Sequence, residues 1–73
     1  MEANADPNIA LLDGNTALHF ASSWNNKYIA ESLLKYNANI NAQNENGQTA
    51  LIIAAQKGYN DVVKLLLEKT LML

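Results

Sequence analysis

These 73 residues contain no cysteine and no arginine, a single proline, three glycines, and no apolar run longer than residues 50–55. Without cysteine, neither a disulfide framework nor a thiolate metal site can form, and secreted proteins this small usually rest on one or the other. The expected setting is therefore intracellular, reducing and cytoplasmic. Residues 50–55 fall far short of the roughly 20 that a membrane helix needs, and residues 1–6 have neither the basic nor the apolar region of a secretory signal. No membrane partner is expected. All five cations are lysines, scattered singly at 27, 35, 57, 64 and 69 against seven carboxylates, for a net charge of −2. Such a chain has no basic field to neutralise phosphates, which argues against nucleic acid as a partner.

What is present is apolar weight. Hydrophobic residues make up 49% of the chain and charged residues 16%, the balance of a globular rather than a disordered segment. There is room for one small domain. A chain of this size buries only about 60% of the surface it exposes when unfolded, so its stability margin is thin.

The apolar residues recur with a period of 33. Gly14 maps onto Gly47, Thr16 onto Thr49, Ala17 onto Ala50, Leu18 onto Leu51, Ala21 onto Ala54, Leu33 onto Leu66 and Leu34 onto Leu67. Upstream, Asn4 maps onto Asn37, Ala5 onto Ala38 and Asn8 onto Asn41. A fixed period of this length marks a stack of supersecondary units.

Within one period, Thr16 opens a short helix with Ala17, Leu18 and Ala21 inward, a spacing that forms a buried stripe. Asn25 and Asn26 interrupt it, and a second helix over residues 27–36 presents Ile29, Leu33 and Leu34 on one side, with Lys27, Glu31 and Lys35 on the solvated side. The second copy repeats the pattern with Ala50, Leu51, Ala54 and Ala55, a turn at residues 57–59, then Val62, Val63, Leu66 and Leu67. Between the copies, residues 37–48 are polar and include Asn46-Gly47, a tight-turn signal because both residues tolerate positive φ. A hairpin-like finger is expected there.

Thr16-Ala17-Leu18-His19-Phe20-Ala21 and Thr49-Ala50-Leu51-Ile52-Ile53-Ala54 resemble the Thr-Pro-Leu-His-x-Ala signature of the ankyrin repeat family. Asn25 and Gly58 stand at that family's inter-helix glycine, the leucine pairs 33/34 and 66/67 at its leucine pair, and residues 37–41 at its Gly-Ala-Asp-Val-Asn loop. Asn4-Ala5-Asp6-Pro7-Asn8 resembles the same loop ending an earlier repeat. The resemblance implies an all-α solenoid of helix-turn-helix repeats with short hairpin-like loops. It divides the chain into a partial repeat over residues 1–12, a repeat over 13–45 and a second over 46–73, truncated at its C-terminal loop.

The departures are informative. Ala17 and Ala50 replace a proline suited to the first helical turn. Asn25 replaces a glycine, as asparagine enters the left-handed region more readily than other residues. Ile52 replaces the histidine. Beyond Thr70-Leu71-Met72-Leu73 the family would place a further loop and a polar capping pair. Solenoid units bury their faces only against neighbours, so the expectation is either a piece of a longer array or a chain whose open ends stack on another copy.

Catalytic readings fare poorly. The resemblance implies that His19, the sole histidine, bonds locally around the helix start and the adjacent finger, and its nearest hydroxyl, Thr16, is committed as a helix N-cap. The oxygen-bearing side chains Asn39, Asn41, Gln43 and Glu45 do not fit a calcium loop: with Gly47 at the sixth position, Ala42 and Ile53 would fall where carboxylates are required. Turn-forming amides account for them better. No enzyme activity, cofactor or metal is expected.

A surface for a protein partner is the remaining reading. The resemblance implies a concave face of finger tips and first helices. On it lie Leu12, Asp13, Asn15, Ser23 and Trp24 in the first copy, with Glu45, Asn46, Gln48, Gln56 and Lys57 in the second. Trp24 has two readings: it packs over the base of the adjacent finger, or it anchors a partner, since it offers a large area for little rotamer entropy. Leu11 and Leu12 are unusual on an exposed finger and suggest a cover for an upstream repeat.

Overall fold

The computed structural model describes residues 8–71. The loop residues Asn4, Ala5, Asp6 and Pro7, and the terminal Met72 and Leu73, lie outside it. A tight turn at Leu12–Gly14 precedes four helices: α1 (Ala17–Ser23), α2 (Lys27–Lys35), α3 (Ala50–Lys57) and α4 (Asn60–Leu71). No strand forms among the described residues, as the all-α expectation requires. Ala17 and Ala50 open the first helix of each pair and Lys27 and Asn60 the second, each 33 residues apart.

Local chemistry sets the helix boundaries. Thr16 and Thr49 are the extended N-caps of α1 and α3, and the Thr49 hydroxyl accepts the Ile52 N–H at 3.3 Å. Asn26 does the same for α2, accepting from the Ile29 N–H at 3.2 Å. Each cap satisfies a donor that the first turn leaves without an intrahelical partner.

The ends use left-handed residues. Gly58 closes α3 at φ 73°, and Asn25 occupies the equivalent place after α1 at φ 55°. The bond that follows is shared, from the Asn26 N–H to the Ala21 carbonyl at 2.9 Å and from the Tyr59 N–H to the Ala54 carbonyl at 3.0 Å. Asn37 ends α2 at φ 72°, with the Ala38 N–H on the Leu33 carbonyl. Asparagine thus does the work of the family's glycine twice.

In the packed array α1 lies against α2 and α3, and α4 against α3 and α2. The core is Leu18, Ala21, Ala30, Leu33, Ile40, Ala50, Ala54, Val62, Leu65 and Leu66. Four of these are alanines with at most 1% of their surface exposed, and such small side chains let the helix axes approach closely.

Three expected inward residues are exposed. Ile29 is 46% exposed, Leu67 is 44% exposed, and Ala55 is exposed. Ala30 and Leu65 are buried instead, where the one-sided stripes did not place them. The reason is positional: Ile29 sits on the side of α2 facing away from the second helix pair, while Leu67 and Ala55 face away from the first. Leu11 and Leu12, read as a cover, are 58% and 72% exposed.

Candidate functional site

Two fingers stand beside the ends of α1 and α3, and they close differently. In the first, the Leu11 N–H bonds the Asn15 carbonyl at 2.7 Å and the Asn15 N–H bonds the Leu12 carbonyl at 3.1 Å. Asp13 and Gly14 between them both have positive φ, 58° and 75°, the geometry of a two-residue type I′ turn. In the second finger the Asn44 N–H bonds the Gln48 carbonyl at 3.0 Å and the Gly47 N–H bonds the Asn44 carbonyl at 2.9 Å. There Gly47 alone has positive φ, and Asn46 does not. The Asn46-Gly47 signal marks the turn, and only its glycine is left-handed.

Asn44 explains the difference. Its side-chain oxygen accepts from the N–H groups of both Asn46 and Gln48 at 2.9 Å, holding a turn whose closing bond falls one residue earlier in the repeat than in the first finger. Leu11 occupies the equivalent place in the first finger and has no oxygen to offer. Asn44 is also buried, and its amide donates to the Asn15 and Gln48 side-chain oxygens at 2.9 and 3.1 Å. A further bond, from the Gln48 amide to the Gln56 side-chain oxygen at 3.1 Å, ties the finger to α3. The Asn39 side chain likewise turns onto its own backbone, accepting from the Asn41 N–H at 3.0 Å. These amides build the loop.

The fingers are joined to each other and to α1. The Glu45 N–H donates to the Asp13 carbonyl at 3.1 Å. A Cβ on Gly14 would lie 3.0 Å from the Glu45 nitrogen, so only glycine permits this approach without a shift. His19 is buried and bridges two units, with Nε2 2.8 Å from the Gln48 carbonyl. Because a carbonyl can only accept, Nε2 carries the proton. Nδ1 is then the acceptor for the Thr16 N–H and hydroxyl, both at 2.9 Å. Both ring nitrogens are committed to structure, as the resemblance implied.

Fingers and first helices enclose a groove of about 240 Å³. Seven of the ten anticipated surface residues line it: Asp13, Asn15, Ser23, Asn46, Gln48, Gln56 and Lys57. Leu12, Trp24 and Glu45 do not. Leu12 and Glu45 are exposed on the fingers. Trp24 is 67% exposed and packs on Phe20, a groove residue, with ring centroids 5.6 Å apart and a tilt of 31°. It stands one ring away from the groove.

His19, Phe20, Asn44 and Ile53 line the groove without having been anticipated as surface. For Phe20 and Ile53 the signal was available. Phe20 precedes Ser23 by three residues, as Ile53 precedes Gln56, and helical residues three apart share a face. For Asn44 the signal was weaker: its position two residues before Asn46 suits an asparagine side chain that bonds backbone two residues on.

No group of three or more metal-ligating side chains forms among the described residues. None of the described helices is long and apolar enough to cross a membrane. The groove is lined by the apolar Phe20 and Ile53 and by amides, and the charges of Asp13 and Lys57 sit on a finger and at a helix end. This is chemistry for recognition.

Comparison with known proteins bears on what such a surface belongs to. A family model described as ankyrin repeats (3 copies) matches residues 1–72. The chain is 34% identical over 64 residues to human Rabankyrin-5, covering 88% of the chain. It is 44% identical over 57 residues to the potassium channel AKT1 of Oryza sativa subsp. indica, covering 78%. It is 41% identical over 71 residues to the glycerophosphocholine phosphodiesterase GDE1 of Candida albicans, covering 93%. In each case the chain spans only 6% of the relative's length.

Proposed function

This chain belongs to the ankyrin repeat family, whose members generally serve as protein interaction modules, and we propose that its concave groove holds a partner protein. The observation that carries the reading is the groove itself: residues from both fingers and both first helices converge on one recess with a mixed polar and apolar lining. Trp24, exposed against Phe20 at its edge, supplies the aromatic anchor typical of protein interfaces. The part is that of a non-catalytic binding module. Matches to proteins named as a channel and as a phosphodiesterase suit a segment that brings recognition and leaves the activity elsewhere. A reducing, cytoplasmic setting is part of the same reading.

The test uses a random peptide library selected on the whole chain, followed by affinity measurements on the ligands recovered. Trp24→Ala combined with Gln56→Ala should weaken them by about tenfold or more, equivalent to about 1.4 kcal/mol. Lys64→Ala with Glu68→Ala, on the exposed side of α4, should leave them unchanged. Ligands that respond to the α4 pair and ignore the concave pair would place recognition on the other side of the molecule.

A further inference from the structure

The 33-residue register allows each residue of one helix pair to be compared with its counterpart in the other, and the comparison sorts the open surface into two complementary faces. On one side, Ile29 is 46% exposed while Val62, its counterpart, is fully buried. Ser32 is exposed where Leu65 is buried, and Ala17 is half-buried where Ala50 is buried. These are positions that the second pair buries against the first. They leave the first pair with an open groove of about 460 Å³, lined by Tyr28, Ile29, Ser32, Leu33 and Tyr36.

On the other side the relation reverses. Ile52 is 40% exposed where His19 is buried, Ala55 is exposed where Ser22 is buried, and Leu67 is 44% exposed where Leu34 is half-buried. These are positions that the first pair buries against the second. The fingers follow the same rule: Gly14 lets the next finger approach to the Glu45 backbone, and Gly47, at the same φ of 75°, faces open space. Each half of the interface between α1/α2 and α3/α4 is therefore displayed a second time, unpaired among the described residues, at opposite ends of the molecule.

We infer that a second copy of this chain stacks head to tail, its Ile29 face seated on the Leu67 face of the first, continuing the packing already made inside each copy. The contact joins unlike faces, so it does not close into a dimer. Each added copy presents a fresh face, and the assembly grows by single chains. Ser32 in place of Leu65 and Ile52 in place of His19 remove part of the internal interface's burial and its bridge to the next finger, so the association is weaker than the internal packing and reversible.

The experiment is sedimentation equilibrium on the 73-residue chain over increasing concentration, with variants blocked at one end. The unmodified chain should gain mass continuously beyond that of two copies. Ile29→Asp blocks one face and Leu67→Asp the other; both positions are already exposed, and circular dichroism checks the helices. Each variant alone should sediment as a monomer, and an equimolar mixture should form a one-to-one dimer through the two intact faces. Tyr36→Asp and Ile52→Asp repeat the design should either first variant lose its helices. A chain that stays monomeric up to roughly 1 mM overturns the inference. So does assembly that stops at a dimer, which marks pairing of like faces, or a mixture of blocked variants that remains monomeric.

Discussion

Leu66 and Leu67 are neighbours in one helix, and their counterparts Leu33 and Leu34 form the same pair in the other, yet only the first of each pair is buried in both units. Leu33 and Leu66 are 4% and 0% exposed. Leu34 is half-buried against the second unit, while Leu67, with no further unit among the described residues, is 44% exposed. The residue type is constant and the neighbour is not. Burial inside a unit belongs to the repeat's own sequence, and burial between units belongs to whatever is stacked beside it.

The sharpest way to test that contrast is to shorten both leucines. Leu66→Ala removes a fully buried side chain from a small core and should cost about 2–5 kcal/mol, read as a large loss in the urea midpoint or as outright unfolding. Leu67→Ala, on the open face, should cost about 1 kcal/mol or less. Equal losses would mean that Leu67 is covered in solution, as the stacked assembly requires at high concentration, so the measurement belongs at low concentration.

The next contrast is His19 with Ile52. His19→Ala leaves the Thr16 N–H without its partner and cuts the link to the Gln48 carbonyl, at an expected cost of about 1–3 kcal/mol. Ile52→Ala, at the same repeat position but 40% exposed, should stay within about 0.5 kcal/mol. Urea unfolding followed by circular dichroism separates them, and comparable losses would dissolve the distinction between the two sites.

The smallest effect is expected at the turn after α1. Asn25→Ala places a residue with no side-chain hydrogen bonding at φ 55° and should cost about 1 kcal/mol. Asn25→Gly, the residue found at the equivalent Gly58, should change stability by less than about 0.5 kcal/mol. A thermal melt resolves the pair, and if alanine proves neutral the left-handed requirement is not what selects asparagine there.

The two fingers show how far the chain's own pattern could be read. Only the second turn was placed by its Asn-Gly pair, yet the two-residue left-handed turn forms at Asp13-Gly14 and not at Asn46-Gly47. The difference comes from Asn44, whose side chain captures two backbone N–H groups that the dipeptide signal does not mention. Of the anticipated concave residues, seven were brought to the groove because each lies on a finger or on the exposed side of a first helix. Trp24 fell just outside because it follows the last turn of α1, where its ring settles on Phe20.

By itself, then, the sequence determined the period, the four helices, their threonine and asparagine caps, the left-handed stops at Asn25 and Gly58, and the residues at the centre of each unit. All of these rest on contacts within a few residues or within one repeat. Tertiary structure alone decided that Ala30 and Leu65 are buried while Ile29 and Leu67 are not, and that Gly14 admits its neighbour. Those outcomes depend on which unit lies against which side, and two residues at the same repeat position read alike in sequence even when only one has a neighbour.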